Sequence, residues 1–361
     1  MDGGGYILAR GAGDRGDHAG GCGGTAVGDR LNESAPSKLY TRVPSGALVY
    51  VIRHIQENRM HTIARIIPAI ARAWPWSHPV ARHVHDGWYQ YQGRWVHYVT
   101  CGRGPLLILI HGVPECWYSW RFQIAALAQT YQVVALDQPG FNFSQAPADH
   151  AGYQTRALAG VVDALITHLG HTQAIVIGHD TGAWLAWHVA AYFPQRVTRL
   201  VSISVPHPNA MRQALALRAE QYVASTYAQR MQQPGARALF RPWMMGWHGN
   251  RRALLLYLLA DLGTDDAAIS GFYRLNYPRE PFACDDTLPS VLCPTLVIHG
   301  SRDTALLTSS HAENQRWVHQ PITFHLLDAG HFVHQECPDV VNQTVLEWLA
   351  TASVPTPTSP P

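Results

Sequence analysis

From about residue 88 to about residue 350, short apolar runs alternate with helical patterns, and no other feature constrains the fold as tightly. The runs lie at 106–110, 133–136, 174–177, 200–204, 295–298 and 323–327. Each is short and almost wholly apolar, as strands covered on both faces must be. Helical spacing of apolar residues occupies 154–169, 183–192 and 340–349 between and after them. Strand alternating with helix predicts an α/β fold, a mostly parallel sheet with helices on both faces. Ahead of this pattern, 88–91 and 95–101 read as a strand pair around the turn Gln92-Gly93. The alternation stops near Val205 and resumes near Val291. The core is therefore expected in two halves, 86–205 and 291–350, with 206–290 as an inserted helical lid rich in Ala, Leu, Met, Trp and Arg.

The flanks differ in texture. Residues 1–38 contain GGG, GAGDRGD and GGCGG and few large apolar side chains, so they cannot offset their chain entropy and are expected to be disordered. The same holds for the proline-rich tail, 351–361. Residues 39–85 read as a helical amphipathic extension, in which Ile63, Ile66, Ile67, Ile70 and Trp74 share a helical spacing and His61, Arg65 and Arg72 fall on other faces. Two readings fit 47–76: a helix docked on the globular body, or a basic amphipathic helix making peripheral contact with a membrane. A third is that Met60 is the true start.

Charge narrows the function. Lys+Arg 27 against Asp+Glu 25 leaves a formal net charge of +2, which makes no electrostatic case for nucleic acid. The 21 histidines show no metal-ligand spacing, and no metal or other cofactor is expected. The six cysteines form no CxxC pair and read as reduced. Neither a secretory leader nor an apolar run of about 18 residues is present, so the expected location is cytoplasmic, with membrane association only through the N-terminal extension.

The chemistry concentrates in three places. Gly178-His179-Asp180-Thr181-Gly182 follows one apolar strand and precedes a helix. This is the Gly-x-nucleophile-x-Gly elbow, whose small residues permit a sharp strand-to-helix turn. His111-Gly112-Val113-Pro114 closes an earlier strand, where the second half of an oxyanion hole belongs. The N–H groups of Val113 and Thr181 are expected to converge on one oxygen of Asp180. Downstream, Asp303 lies just past a strand, and Asp328-Ala-Gly-His331-Phe-Val-His334 follows the next. The order nucleophile, acid, histidine is the one this arrangement requires. His331 is preferred to His334, because the preceding glycine at the strand end lets the loop turn it inward.

On these motifs the chain resembles the epoxide hydrolase branch of the α/β-hydrolase superfamily, over roughly residues 88–350. His111-Gly-Val-Pro-Glu-Cys-Trp-Tyr-Ser-Trp-Arg121 is close to that family's HGxPExWYSWR signature, and Gly330-His-Phe-Val-His-Gln-Glu336 also fits. The resemblance implies Asp180 as nucleophile, His331 as base and Asp303 as its orienting acid. It implies further a pair of lid tyrosines that protonate the leaving alkoxide. Tyr273, in Gly271-Phe-Tyr-Arg274, resembles the family's WYR segment. Tyr227, in the stretch from Tyr227 to Gly235, matches the tyrosine of YxxxFQxPG, with Met231 in place of Phe. His111, Pro114 and Trp117 are expected to line the substrate pocket, and Trp243, Met244, Met245 and Trp247 either to line it or to form lid core. The implied activity is hydrolysis of an epoxide to a vicinal diol by way of an ester on Asp180, on a small apolar substrate. The family's usual Trp after the nucleophile is Thr181 here, which keeps the N–H but removes a ring from the pocket wall. A haloalkane dehalogenase shares the nucleophile, but its halide-binding Trp and Asn positions are Thr181 and Val113 in this chain. A silent ligand-binding version of the fold is the remaining alternative. Oligomeric state is not legible.

Overall fold

The structure, a computed structural model, describes residues 78–239, 263–282 and 288–351. The readings of the N-terminal stretch up to residue 77, of Trp243, Met244, Met245 and Trp247, and of the tail from residue 352 lie outside the described residues.

The hairpin comes first. β1 (His85–Tyr91) pairs antiparallel with β2 (Arg94–Cys101) across Gln92 and Gly93, which both take positive φ (48° and 74°). That is the primed turn whose twist matches the strands it joins. β3 (Leu106–Ile110), β4 (Gln132–Leu136), β5 (Ala174–His179), β6 (Val197–Ile203), β7 (Thr295–Gly300) and β8 (Ile322–Leu327) complete one sheet of eight strands in the order β1-β2-β4-β3-β5-β6-β7-β8. From β4 to β8 every pairing is parallel. Parallel neighbours need long crossovers, and here helices supply most of them.

The two faces of the sheet build two separate cores. Leu106, Ile108 and Ile110 point to one and Leu107 and Leu109 to the other, as the two-residue period of a strand demands. Helices α1 (Arg121–Leu127), α2 (Thr155–His168) and α3 (Thr181–Tyr192) follow β3, β4 and β5 respectively. α2 and α3 cover the first face, and α1, with a C-terminal helix (Pro338–Thr351), covers the second. α3 is buried along almost its whole length, which is why it reads as apolar on every side.

Between residues 206 and 282 the described residues form helices and turns and no strand. α4 (Pro208–Leu217) starts with proline at its first position, where no intrahelical N–H bond is lost, and the His207 ring caps it by accepting the Asn209 N–H. α5 (Ala219–Ala224), α6 (Tyr227–Met231) and α7 (Asp266–Asn276) follow. The Asp265 side chain caps α7 through the Ala267 N–H. α8 (Val333–Glu336) and α9 (Pro338–Thr351) close the chain.

Parallel pairing has one consequence for function. It brings the carboxyl ends of β3, β5, β6, β7 and β8 to one edge of the sheet, where ligands of open α/β sheets bind. β3 is flanked by β4 and β5, so the loops after β3 and β5 are neighbours, with Ile110 opposite Gly178. The loops after β7 and β8 are neighbours in the same way, with Gly300 opposite Leu327.

Candidate active site

β5 ends in a turn that only this sequence pattern permits. Asp180 has φ 50° and ψ −126°, a costly conformation for a residue with a side chain. Close packing enforces it. A Cβ at Gly178 would lie 2.3 Å from the Gly182 carbonyl oxygen, and one at Gly182 would lie 2.1 Å from that of Ile110. On the facing loop a Cβ at Gly112 would sit 2.5 Å from the Asp180 Cβ. The N–H groups of Ala183 and Trp184 both donate to the Asp180 carbonyl at 2.9 Å and tie the turn to α3.

The two oxygens of Asp180 face different partners. Oδ1 accepts the Val113 N–H at 2.9 Å, while Oδ2 lies 3.2 Å from His331 Nε2. The Thr181 N–H belongs to the first turn of α3, where the helix supplies no acceptor for it. On its other side His331 Nδ1 contacts Asp303 Oδ2 at 2.6 Å, and Asp303 Oδ1 accepts the N–H groups of Ala305 and Leu306 at 2.9 and 3.1 Å. The backbone of His331 is held too: its carbonyl accepts Ser204 Oγ at 2.7 Å and His179 Nε2 at 3.0 Å.

Beneath these groups lies a buried network. Glu115 accepts from His179 Nδ1 at 2.9 Å, from the Gly112 N–H at 3.1 Å and from Gln335 Nε2 at 2.6 Å. The donor atoms of Glu115, His179 and His334 lie within 4.8 Å of one another, but the carboxylate already serves the loops of β3 and β5 as a hydrogen-bond hub.

Protonation follows from these contacts. Burial alone would raise the Asp180 carboxyl, but the hydrogen bond and charge of His331, with the Val113 N–H, hold it below the usual carboxylate range. Asp303 is lowered in the same way, against burial, by His331 and by its backbone N–H donors. For His331 burial works against the charged form, yet the two carboxylates at hydrogen-bond distance push its pKa well above the usual histidine value. The resting site therefore holds an imidazolium between two carboxylates.

Over Asp180 the lid closes a cavity lined by Thr181, Trp184, Met211, Phe272, Leu306 and three tyrosines, Tyr227, Tyr273 and Tyr277. The rings of Tyr227 and Tyr273 meet edge to face at 6.4 Å. Burial first, and then the negative charge of Asp180 near Tyr273 and the neighbouring tyrosines near Tyr227, raise both phenols well above 10 and keep both hydroxyls protonated.

The structure thus brings together Asp180, His331, Asp303, Val113, Thr181, Tyr227 and Tyr273. Among the described residues the cavity lining does not include His111, Pro114 or Trp117, contrary to the pocket place expected of them. His111 is fully buried and locked in the loop: Nδ1 donates to the Gly112 carbonyl at 2.8 Å and Nε2 accepts the Gln138 N–H at 3.0 Å. Trp117 packs into the core on the opposite face, with its backbone N–H donating to Asp137, and Pro114 is buried in the turn that carries Val113. These residues shape the Val113 loop. The cavity walls come from Trp184, Met211, Phe272 and Leu306, apolar residues whose types carry no chemical signal. Tyr277 carries one, a third tyrosine four residues after Tyr273 at the C-cap of α7, and only the fold gives it meaning. His334 is buried under Trp120 and His179, away from Asp180.

Comparison with known proteins agrees with this geometry. Residues 105–338 match the family model for the alpha/beta hydrolase fold. The chain is 30% identical over 280 residues to human epoxide hydrolase 4, covering 70% of this chain and 75% of that one. It is 31% identical over 273 residues to the AB hydrolase superfamily protein YfhM of Bacillus subtilis, covering 70% and 94%. A Bacillus megaterium epoxide hydrolase solved with an inhibitor superposes with a TM-score of 0.65 at 23% identity, over 73% of this chain and 100% of that one, a likeness of fold. No helix among the described residues is long and apolar enough to cross a membrane. The chain is a member of the α/β-hydrolase fold family and, within it, of the epoxide hydrolase-like branch.

Proposed function

We propose that this enzyme hydrolyses an epoxide to a vicinal diol through a covalent ester on Asp180. The observation that carries the reading is the division of labour between the two Asp180 oxygens, with two protonated phenols opposite them. Oδ1 rests on the Val113 N–H, so Oδ2 is the attacking atom. It forms a bond to one ring carbon while the C–O bond of the ring breaks, and Tyr273 and Tyr227 give the alkoxide its proton.

Ester formation resets His331. It removes the negative charge of Asp180, one of the two groups that keep the imidazole protonated, so its pKa falls and its proton passes to the tyrosinate that ring opening left. The neutral ring, still oriented by Asp303, then takes a proton from water, and the hydroxide attacks Cγ of Asp180. Negative charge develops on Oδ1, where the N–H groups of Val113 and Thr181 receive it. Breaking the Cγ–Oδ2 bond, with the His331 proton passing to Oδ2, releases the diol with Oδ2 in it and leaves the oxygen of water in Asp180, whose carboxyl proton returns to His331.

A haloalkane would suit the same nucleophile, but two phenol donors facing Asp180 fit an alkoxide that needs a proton better than a departing halide. The substrate is small, with an apolar body matched to the cavity walls. We place the enzyme in the cytoplasm, with peripheral membrane contact through 47–76 if that stretch forms the basic amphipathic helix its spacing suggests.

The test is a single turnover of an epoxide panel in heavy-oxygen water, followed by the mass of the Asp180 peptide and of the diol. Label in the peptide and an unlabelled first-turnover diol are expected. Label in the diol alone, from direct attack of water on the ring, would overturn the mechanism.

A further inference from the structure

Tyr277 is the tyrosine that the reaction above leaves unused. It stands at the end of α7, four residues after Tyr273, and the two rings are 5.8 Å apart. Four residues along a helix place side chains on one face, one turn apart. Its hydroxyl is buried and has no hydrogen-bond partner. The Ser225 hydroxyl is close enough to act on the phenol, but it already accepts the Gln221 amide at 2.8 Å. Burial pushes the phenol up to about 12, with Ser225 offsetting part of the shift and the charge of Asp180 adding to it. A buried O–H without an acceptor is costly to keep unless something else supplies the acceptor.

The position of Tyr277 says where that acceptor comes from. Tyr277 lines the cavity over Asp180 and also a second, outer depression formed by lid residues. Among the described residues it is the one common to both linings. The outer depression is polar, with Tyr222, Gln232, Arg279 and Glu280 on its walls and a 2.6 Å hydrogen bond from the Tyr222 hydroxyl to Glu280. Tyr277 therefore stands between the cavity over Asp180 and a polar depression.

Resting on the epoxide reading, we infer that Tyr277 is a specificity-determining residue that donates a hydrogen bond to a second oxygen of the substrate, an ether or hydroxyl a few bonds beyond the epoxide ring. The substrate class is then an oxygen-bearing epoxide rather than a plain hydrocarbon one. The apolar walls hold the carbon skeleton near Asp180, and the part beyond the second oxygen leads into the outer depression.

The experiment compares a straight-chain 1,2-epoxyalkane with the alkyl glycidyl ether of the same chain length, on the wild type, on Tyr277→Phe and on Tyr277→Gln. The wild type is expected to favour the ether in kcat/KM by about tenfold, the worth of one neutral hydrogen bond at the upper end of its range. Tyr277→Phe should erase that preference, lowering kcat/KM for the ether by about tenfold more than for the alkane, and Tyr277→Gln, which keeps a donor, should restore part of it. An unchanged ether-to-alkane ratio in Tyr277→Phe, or equal loss on both substrates, overturns the assignment. If Tyr277→Phe does not fold, the wild-type ratio decides, and no preference for the ether overturns it. Ester formation on Asp180 with the alkane tests the underlying function separately: an adduct with no ether preference sinks only the role of Tyr277, while a wild type inert on both epoxides sinks both.

Discussion

The sheet side and the lid side of the site are built on opposite principles. On the sheet side, hydrogen bonds fix every reacting group: each oxygen of Asp180 and Asp303 has a named partner, and even the His331 carbonyl is held twice. On the lid side, Tyr227, Tyr273 and Tyr277 sit in apolar packing, and the hydroxyl of Tyr277 is left without a partner. The difference teaches how the work is shared. Charged groups must be oriented before substrate arrives, because reorienting them during reaction would cost the stabilisation they provide. Neutral donors are most useful unspent, since a phenol already bonded to protein would have to give up that bond to protonate an alkoxide.

The largest effect should come from the most constrained group. Asp180→Asn keeps the shape of the elbow and an acceptor for the Val113 N–H but loses the nucleophile, so kcat should fall by roughly 10⁴-fold or more while substrate still binds. Steady-state turnover together with calorimetric binding checks this, and retained activity would mean that the sheet side is not the seat of chemistry.

His331→Gln should reduce multiple turnover by about 10³–10⁴-fold yet leave ester formation intact. The adduct on Asp180 should then accumulate and be visible by mass in a single turnover. Failure to trap it would place His331 before ester formation and break the proposed order.

On the lid side the losses should be smaller, because two donors share one task. Tyr273→Phe is expected to slow ester formation by about 10²-fold, and Tyr227→Phe by less, with little change in KM. Presteady-state measurement of adduct formation separates these rates from hydrolysis. A loss as large as that of Asp180→Asn would erase the contrast between the two sides.

The smallest effect concerns the junction between the regions. His207, between β6 and α4, is buried in neutral form with its pKa lowered to about 3 by burial and then by the nearby His188 and Arg212. This shift is opposite in sign to that of His331. A lowered folded pKa means that the unfolded chain takes the proton more readily, so the contribution is complete above about pH 6.5 and is lost as pH falls toward 3. His207→Asn retains an acceptor for the Asn209 N–H and removes the titration. Its Tm should fall less steeply than that of the wild type between pH 6.5 and 4, by thermal melts in a buffer series. Parallel Tm curves would show that His207 does not govern acid stability.

The legibility of the molecule follows the same division. The strands at 106–110 and 174–177 were readable because burial on both faces forces apolar residues at every position. Structure extended the second run to His179, past the point where hydrophobicity alone could follow it. Asp180 was readable because a sharp turn next to backbone requires Gly178 and Gly182. The pocket walls were not readable, since Trp184, Met211 and Leu306 look like any core residue until the lid is placed over the sheet. His111 and Trp117 misled for the converse reason: a signature motif marks residues that shape a loop as strongly as residues that touch a ligand.

The sequence by itself determined the class of fold, the elbow with its carboxylate, and the chain order of nucleophile, acid and histidine, because each of these is imposed by local backbone geometry or by the period of burial. Only the tertiary structure decided which groups meet. The register that sets Ile110 beside Gly178 delivers the Val113 N–H to Asp180, and the pairing of β7 with β8 delivers Asp303 to His331. Contacts between residues 67 or 151 positions apart depend on strand order and packing, and strand order leaves no mark on the local pattern of residues.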